Sequence, residues 1–216
     1  MTKILESLID IKKFRSILCL NGEIPERVFF ETDLPIIAAD GAANKLVNHG
    51  IKPHAIIGDL DSVHDHIRDT HHTIHYADQN SNDYQKSLAY LEKNNLLPAI
   101  VVGIDGGYLD HALNNVNIFM QTDSVLYAPP LIGMVINAGE KKILTPLKNT
   151  KISLIGFPHA EISSNGLKWE LHKQSLTFPG VNSCFNRCQA NEIEIIAHQG
   201  TLLILIYLSA IDDAGL

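Results

Sequence analysis

The stretch IIGDLDSVH, residues 56–64, ends an apolar run in two carboxylates one residue apart, with Gly58 before Asp59 and Ser62 after Asp61. Its β-branched start reads as a buried strand and its polar end as a loop. The same pattern recurs outward along the chain. RSILCL, PIIAAD, TIHY, PAIVVG and SVLYA are short apolar runs separated by helical stretches, which predicts a mostly parallel sheet with helices between its strands. Ala42 to Asn48 reads as one helix, closed by Gly50 with Pro53 just beyond. A second starts near Ser81, with Ser81 or Asn80 as cap and Tyr84, Leu88 and Leu91 on one stripe. A third follows PAIVVG, its stripe made of Leu109, Leu113, Val116 and Met120.

From about residue 130 the helical stretches stop. LIGMVINA, KISLIGF, KWELHKQSLTF, NEIEIIAH and TLLILIYL are separated by Gly, Pro, Asn and Ser clusters, a β-sandwich or barrel pattern. The expected organisation is therefore residues 1–128 as an α/β domain, Rossmann-like and three-layered, and residues 129–216 as an all-β domain, a sandwich.

Composition narrows the function classes. A chain of 216 residues, 45% hydrophobic, can bury a sizeable core. Its net charge of −7 gives no basic footprint for nucleic acid, so an anionic partner needs a local site or a bridging metal. No apolar run approaches the ~18 residues of a membrane span, and a cytoplasmic protein is expected. Cys19, Cys184 and Cys188 lack a zinc-pair or disulfide spacing, so reduced thiols are expected.

The acids gather where strands should end: Asp40 after PIIAA, Asp59 and Asp61 after AII, Asp105 and Asp110 after AIVVG. Ligands of parallel α/β sheets collect at that edge. In extended chain, residues two apart face one side, so Asp59 and Asp61 can aim at one point if the strand persists through Leu60. Like charges so close call for a cation, and Mg²⁺ suits one or two carboxylates with phosphates and water. Asp83, in SNDYQKSL, also fits an ordinary acid in the first turn of a helix. The histidines at 64, 66, 71, 72 and 75 lack a zinc spacing and read as solvated. NGE at Asn21–Glu23 and GIDGGYLDH at Gly103–His111 supply glycines behind which a helix N-terminus can meet an anion.

Together these stretches resemble a known family. ADGAANKL (39–46), GDLDS (58–62), DQNSNDYQKSL (78–88), GGYLDHALNN (106–115), NGLKW (165–169) and NSCFN (182–186) follow the order and approximate spacing of the thiamine pyrophosphokinases. Asn80, Ser81 and Asn82 depart from the segment that family often carries before the final Asp of its third motif. The resemblance implies transfer of a diphosphate from ATP to the hydroxyethyl group of thiamine, with Mg²⁺, in a homodimer with its active site between subunits. It assigns Asp59, Asp61 and Asp83 to metal, with Asp40 as a further ligand or hydrogen-bonding neighbour. Gly106, Gly107, Asp110, His111 and Asn114 become the nucleotide-facing group, and Asn21 and Gly22 a second phosphate or base contact. His111 and Asn114 equally suit local helix hydrogen bonds. Gln79, Ser183 and Asn186 become thiamine-facing. Trp169 is expected to be buried in packing. Two other readings stay open: a pyrophosphokinase acting on another alcohol, such as a hydroxymethylpterin, and a non-catalytic nucleotide-binding protein.

Overall fold

The computed structural model describes residues 8–78 and 80–208. Its contacts cluster into two units, one over Asp10–Ala128 and one over residues 129–208 joined by Leu8 and Ile9.

In the first unit the apolar runs form β1 (Ser16–Cys19), β2 (Ile36–Ala39), β3 (Ala55–Gly58), β4 (Thr73–His75), β5 (Ala99–Val102) and β6 (Val125–Ala128). They lie in the order β6-β5-β1-β2-β3-β4, and every pair between them is parallel. All but β4, the edge strand beside β3, are buried throughout. Burial on both faces is why they read as continuous apolar runs rather than alternations. The order reverses between β1 and β5, the switch point at which such sheets open a crevice beyond their carboxyl ends.

The helices are α1 (Ala42–Asn48), α2 (Asp65–Arg68), α3 (Asp83–Lys93) and α4 (Leu109–Phe119). α1 has the expected bounds, and Gly50 follows it at φ +70°, a turn that glycine takes without a Cβ penalty. α3 packs on β2 and β3 through Tyr84, Ser87 and Leu91, all buried. Its cap is Asn82, not Ser81 or Asn80: Gln85 N donates to Asn82 Oδ1 at 2.9 Å and Asn82 N to Gln85 Oε1 at 3.1 Å, a reciprocal capping box. Ser81 instead donates to Asp78 Oδ2 at 2.5 Å. The stripe expected on α4 is corrected too. Leu109 and Leu113 are 74% and 54% exposed, while Ile118 and Phe119 are buried, so only the last turn of the helix reaches the core.

The second unit is antiparallel throughout. It contains β7 (Leu131–Asn137), β8 (Lys141–Leu144), β9 (Lys151–Asn165), β10 (Gln174–Thr177), β11 (Ser183–Arg187) and β12 (Ile193–Tyr207), ordered β10-β9-β12-β7, with β11 on β9 and β8 on β12. NEIEIIAH and TLLILIYL are one strand, β12, not two. Its buried positions are Ile193, Ile195 and Ala197 before Gln199–Gly200, and Leu202, Ile204 and Ile206, with Leu203 between them, after it. An extra residue at the bulge between Ala197 and Gln199 shifts the register against β9, which moves the apolar set from odd to even positions without breaking the strand.

Candidate active site at the carboxyl edge of the parallel sheet

The loops leaving β2 and β3 and the start of α3 meet at one place. Asp40 follows β2 in a left-handed conformation, φ 43°, which Asp tolerates better than most residues. Asp59 follows β3, and Asp83 is the first residue of α3. A carboxylate oxygen from each of Asp40, Asp59 and Asp83 lies within 4.8 Å of the others. Gly58 makes this approach feasible, because a Cβ there would sit 2.8 Å from Asp40 Cβ and 3.0 Å from Asp83 Oδ1.

Asp61 does not join this trio. β3 ends at Gly58, and Leu60 turns to φ 66°, an outlier for a bulky residue, so the two-residue alternation that would align Asp59 with Asp61 stops. Asp61 is exposed and accepts from Ser62 Oγ at 2.9 Å.

Electrostatics follow from burial. Asp40 is 4% exposed, and its Oδ1 is buried with no hydrogen-bond partner. Burial pushes its carboxyl above the ordinary range; a bond from Ser62 opposes this, while repulsion from Asp83 and Asp61 adds to it. Lys86, one turn along α3, is buried with its Nζ 3.1 Å from Asp83 Oδ1 and 3.5 Å from Asp59 Oδ2. Desolvation pulls its ammonium down, yet the bond to Asp83 and the charges of Asp83 and Asp59 win, and its pKa is raised.

A cavity of about 480 Å³ opens beside the trio, lined by Asn21, Asp40, Asp83, Tyr84, Asp110, His111 and Asn114, among others. The structure thus gathers much of the expected nucleotide-side group. Asp110 lies in the first turn of α4 and accepts from His111 N at 2.9 Å. Gly106 and Gly107, both at positive φ, are exposed just ahead of that helix. Gly22 is buried, and a Cβ there would overlap the carbonyl oxygens of Asp105 and Gly103. Its task is backbone packing: Gly22 N donates to Gly103 O at 2.9 Å and Glu23 N to Asp105 O at 2.7 Å.

Three residues that sequence reasoning passed over frame the site. Lys45 Nζ donates to the carbonyls of Asn21 and Gly22, both at 2.7 Å. Asn44 donates to Ser62 O at 2.7 Å and accepts from His64 N at 3.0 Å, so α1 ties down the loops after β1 and β3. Lys86 is the third. All lie within quoted motifs, and the spacing of Lys86 three residues after Asp83 was the available signal. Gln79 lies outside the described residues. Among the described residues the clustered histidines form no trio of the carboxylate kind; His64 caps α2 and His75 ends β4.

In the second unit Asn186 is buried, 1% exposed, and its amide is occupied: Trp169 N donates to Oδ1 at 3.2 Å, and Nδ2 donates to Trp169 O at 2.7 Å and Ser183 Oγ at 3.2 Å. This corrects the expectation of a ligand-facing amide, since its polar atoms serve the framework. Trp169 corrects the other way. It is 54% exposed, with Lys168 Nζ 4.6 Å from its ring centroid. Glu170 secures the same turn, accepting from Gly166 N at 2.6 Å and Leu167 N at 2.9 Å.

Comparison with known proteins agrees with this architecture. The family model described as thiamin pyrophosphokinase, catalytic domain, matches residues 27–126. Thiamine pyrophosphokinase 3 of rice, Oryza sativa subsp. japonica, is 25% identical, over 79% of this chain and 78% of its own. The solved structure of yeast thiamin pyrophosphokinase superposes with a TM-score of 0.78 at 17% identity, covering 95% of this chain and 89% of that one. The thiamine pyrophosphokinase of Bacillus subtilis gives 0.74 at 20% identity, covering 89% and 98%. Asp40, Asp59 and Asp83 all fall inside the matched span, and over residues 27–126 the chain is similar to the thiamin pyrophosphokinase catalytic domain.

Proposed function

We propose that this chain is a thiamine diphosphokinase, moving the diphosphate of ATP onto the hydroxyethyl oxygen of thiamine and releasing AMP. The observation that carries the reading is the convergence of Asp40, Asp59 and Asp83 within 4.8 Å, beside a cavity at the sheet's carboxyl edge. Carboxylates repel a polyphosphate unless a cation stands between them. Three hard oxygen donors, one of them a buried Asp40 Oδ1 without a partner, fit a divalent cation, and Mg²⁺ is the one we propose. When bound, Mg²⁺ would neutralise charge on the phosphates and on the leaving AMP.

The chain's own residues do the rest. Asp59, Asp83 and Asp40 hold the cation, with Asp61 as an outer member of the group. The start of α4, with Asp110, His111 and Asn114, orients the nucleotide, behind the positive-φ turn at Gly106 and Gly107. Asn21, fixed through Lys45, offers the second contact on the nucleotide side, and Gly22 shapes that loop. Gln79 and Ser183 are assigned to thiamine, whereas Asn186 acts by fixing the turn that carries Trp169. Placing the alcohol in line with the β-phosphorus accounts for most of the rate in this scheme. We extend the reading to a three-layer α/β catalytic domain, a β-sandwich thiamine-binding domain, a cytoplasmic location and a homodimer. Among the described residues no helix is long and apolar enough to cross a membrane.

The test is AMP formation from ATP and Mg²⁺ by the purified protein, with and without thiamine, and the product identified by mass. Thiamine-dependent AMP with matching thiamine diphosphate is expected. AMP formed only with another alcohol keeps the transfer and overturns the acceptor; no AMP from folded, cation-binding protein leaves a nucleotide-binding module. Light scattering at twice the chain mass is expected for the dimer.

A further inference from the structure

Lys86 lies at this edge without a role in the proposed transfer. It sits on α3 one turn after Asp83, is 4% exposed, and directs its ammonium at Asp83 Oδ1, 3.1 Å, and Asp59 Oδ2, 3.5 Å. Burying an ammonium is costly, and a buried lysine persists where fixed charges compensate it. Asp83 and Asp59 are those charges. Asp40, the third carboxylate, keeps a buried Oδ1 with no partner. Lys86 therefore serves two members of the trio and leaves the third open. Three carboxylates and one ammonium leave two net negative charges, the complement of one divalent cation.

We propose that Lys86 is the built-in counter-charge of the carboxylate trio: it sets the trio's charge to that of one divalent cation and holds Asp59 and Asp83 in the orientation that receives it. This rests on the divalent-cation reading of the trio given above. Two consequences pull in opposite directions. Removing the ammonium leaves the carboxylates more negative and takes a repelling charge from beside the cation, so affinity for the cation rises. It also frees the rotamers of Asp59 and Asp83, so the ordered geometry that turnover needs is lost. A lysine that only filled space would not tighten cation binding when replaced by an isosteric apolar side chain.

The experiment titrates Mn²⁺ by calorimetry into the full chain without nucleotide, comparing wild type with Asp83→Asn, Lys86→Met and Lys86→Arg, each checked for folding by circular dichroism. Expected are binding by wild type, loss in Asp83→Asn, affinity near wild type in Lys86→Arg, and on the order of tenfold tighter binding in Lys86→Met, together with lower kcat. Unchanged or weaker binding in Lys86→Met, with Asp83→Asn still defective, overturns the counter-charge and leaves the cation reading standing. No Mn²⁺ binding by wild type overturns the cation reading itself. Should Lys86→Met fail to fold, the wild-type protein decides: the Lys86 Nζ resonance, assigned by its absence in Lys86→Arg, moves on Mg²⁺ addition if the ammonium shares the cation's ligands, and an unmoved resonance sinks the proposal.

Discussion

The strands of the two units differ in length and in what their ends carry. In the parallel unit, β1, β2, β3, β5 and β6 have four residues each and are buried along their whole length. In the antiparallel unit, β9 and β12 have fifteen each and mix buried with half-buried and exposed positions. A short strand buried on both faces has no room for polar groups except where it stops. The acids therefore appear beyond Ala39 and Gly58, all at one edge. A long half-exposed strand can carry polar side chains anywhere, and the buried Asn186, on the short β11 of the same unit, is bonded to the turn at Trp169. The difference teaches that position relative to a strand end separates chemistry from framework better than residue type does.

That comparison can be broken at several points. Asp59→Asn is expected to cut turnover on the order of 10²–10³-fold with the fold retained by circular dichroism. Asp61→Asn should also lose turnover; near-normal AMP formation in that variant would confine the cation-binding group to Asp40, Asp59 and Asp83. On the framework side, Asn186→Ala removes the partner of the Trp169 N–H and carbonyl and should cost about 1–3 kcal/mol in urea unfolding. Unchanged stability with lost turnover would instead restore Asn186 as a ligand contact and weaken the contrast. Asn82→Ala removes the capping box that starts α3 and orients Asp83, and should cost about 1 kcal/mol; a kcat loss beyond that shown by a destabilised control would show that the cap also aims the carboxylate.

The smallest expected effect concerns Asp105. Burial raises its carboxyl pKa above the ordinary value, and repulsion from Glu23 adds to this against an opposing backbone hydrogen bond. The folded state thus holds this proton more tightly than the unfolded chain. Its stabilising contribution is fully present below the unfolded value of 3.8 and is lost as pH rises through the raised folded value. Asp105→Asn should therefore melt slightly above wild type at neutral pH, with the gap closing as pH falls toward 3.8. A gap that is constant with pH removes the carboxylate as its cause.

The parallel unit was legible because its strands are continuous apolar runs with punctuated helices between them; all six runs and the bounds of α1 followed from that pattern. The antiparallel unit was legible only in outline. Gln199–Gly200 looks like a turn in sequence, but the bulge keeps β12 whole, and KISLIGF continues through Pro158 into HAEISSN as β9. NSCFN shows no alternation, yet Ser183–Arg187, which takes in all but its first residue, pairs with β9 as β11. At the site, Asp40, Asp59 and Asp83 were visible as acids beyond strands. Asp61 stands apart from the trio because periodicity cannot foresee the left-handed turn at Leu60. Lys86 carried only its spacing from Asp83 as a signal, because a lysine in the first turn of DYQK reads as solvent-facing until its helix is docked on β2 and β3. Asn186 and Trp169 exchanged their expected exposures because hydrogen bonding within turns, not hydrophobicity, decides which side chain is enclosed.

The glycine contacts between the loops after β1 and β5 bear on motion. Gly22 and Gly103 bring two backbones together so closely that a Cβ at either would overlap a carbonyl of the other loop, and Lys45 fastens the first of them to α1. The two loops are consequently one mechanical part. Any displacement of the Gly103–Gly107 segment toward a nucleotide must carry Asn21 with it and load α1 through Lys45, so the switch point of this sheet transmits movement as a lever, where separate loops would each have closed alone.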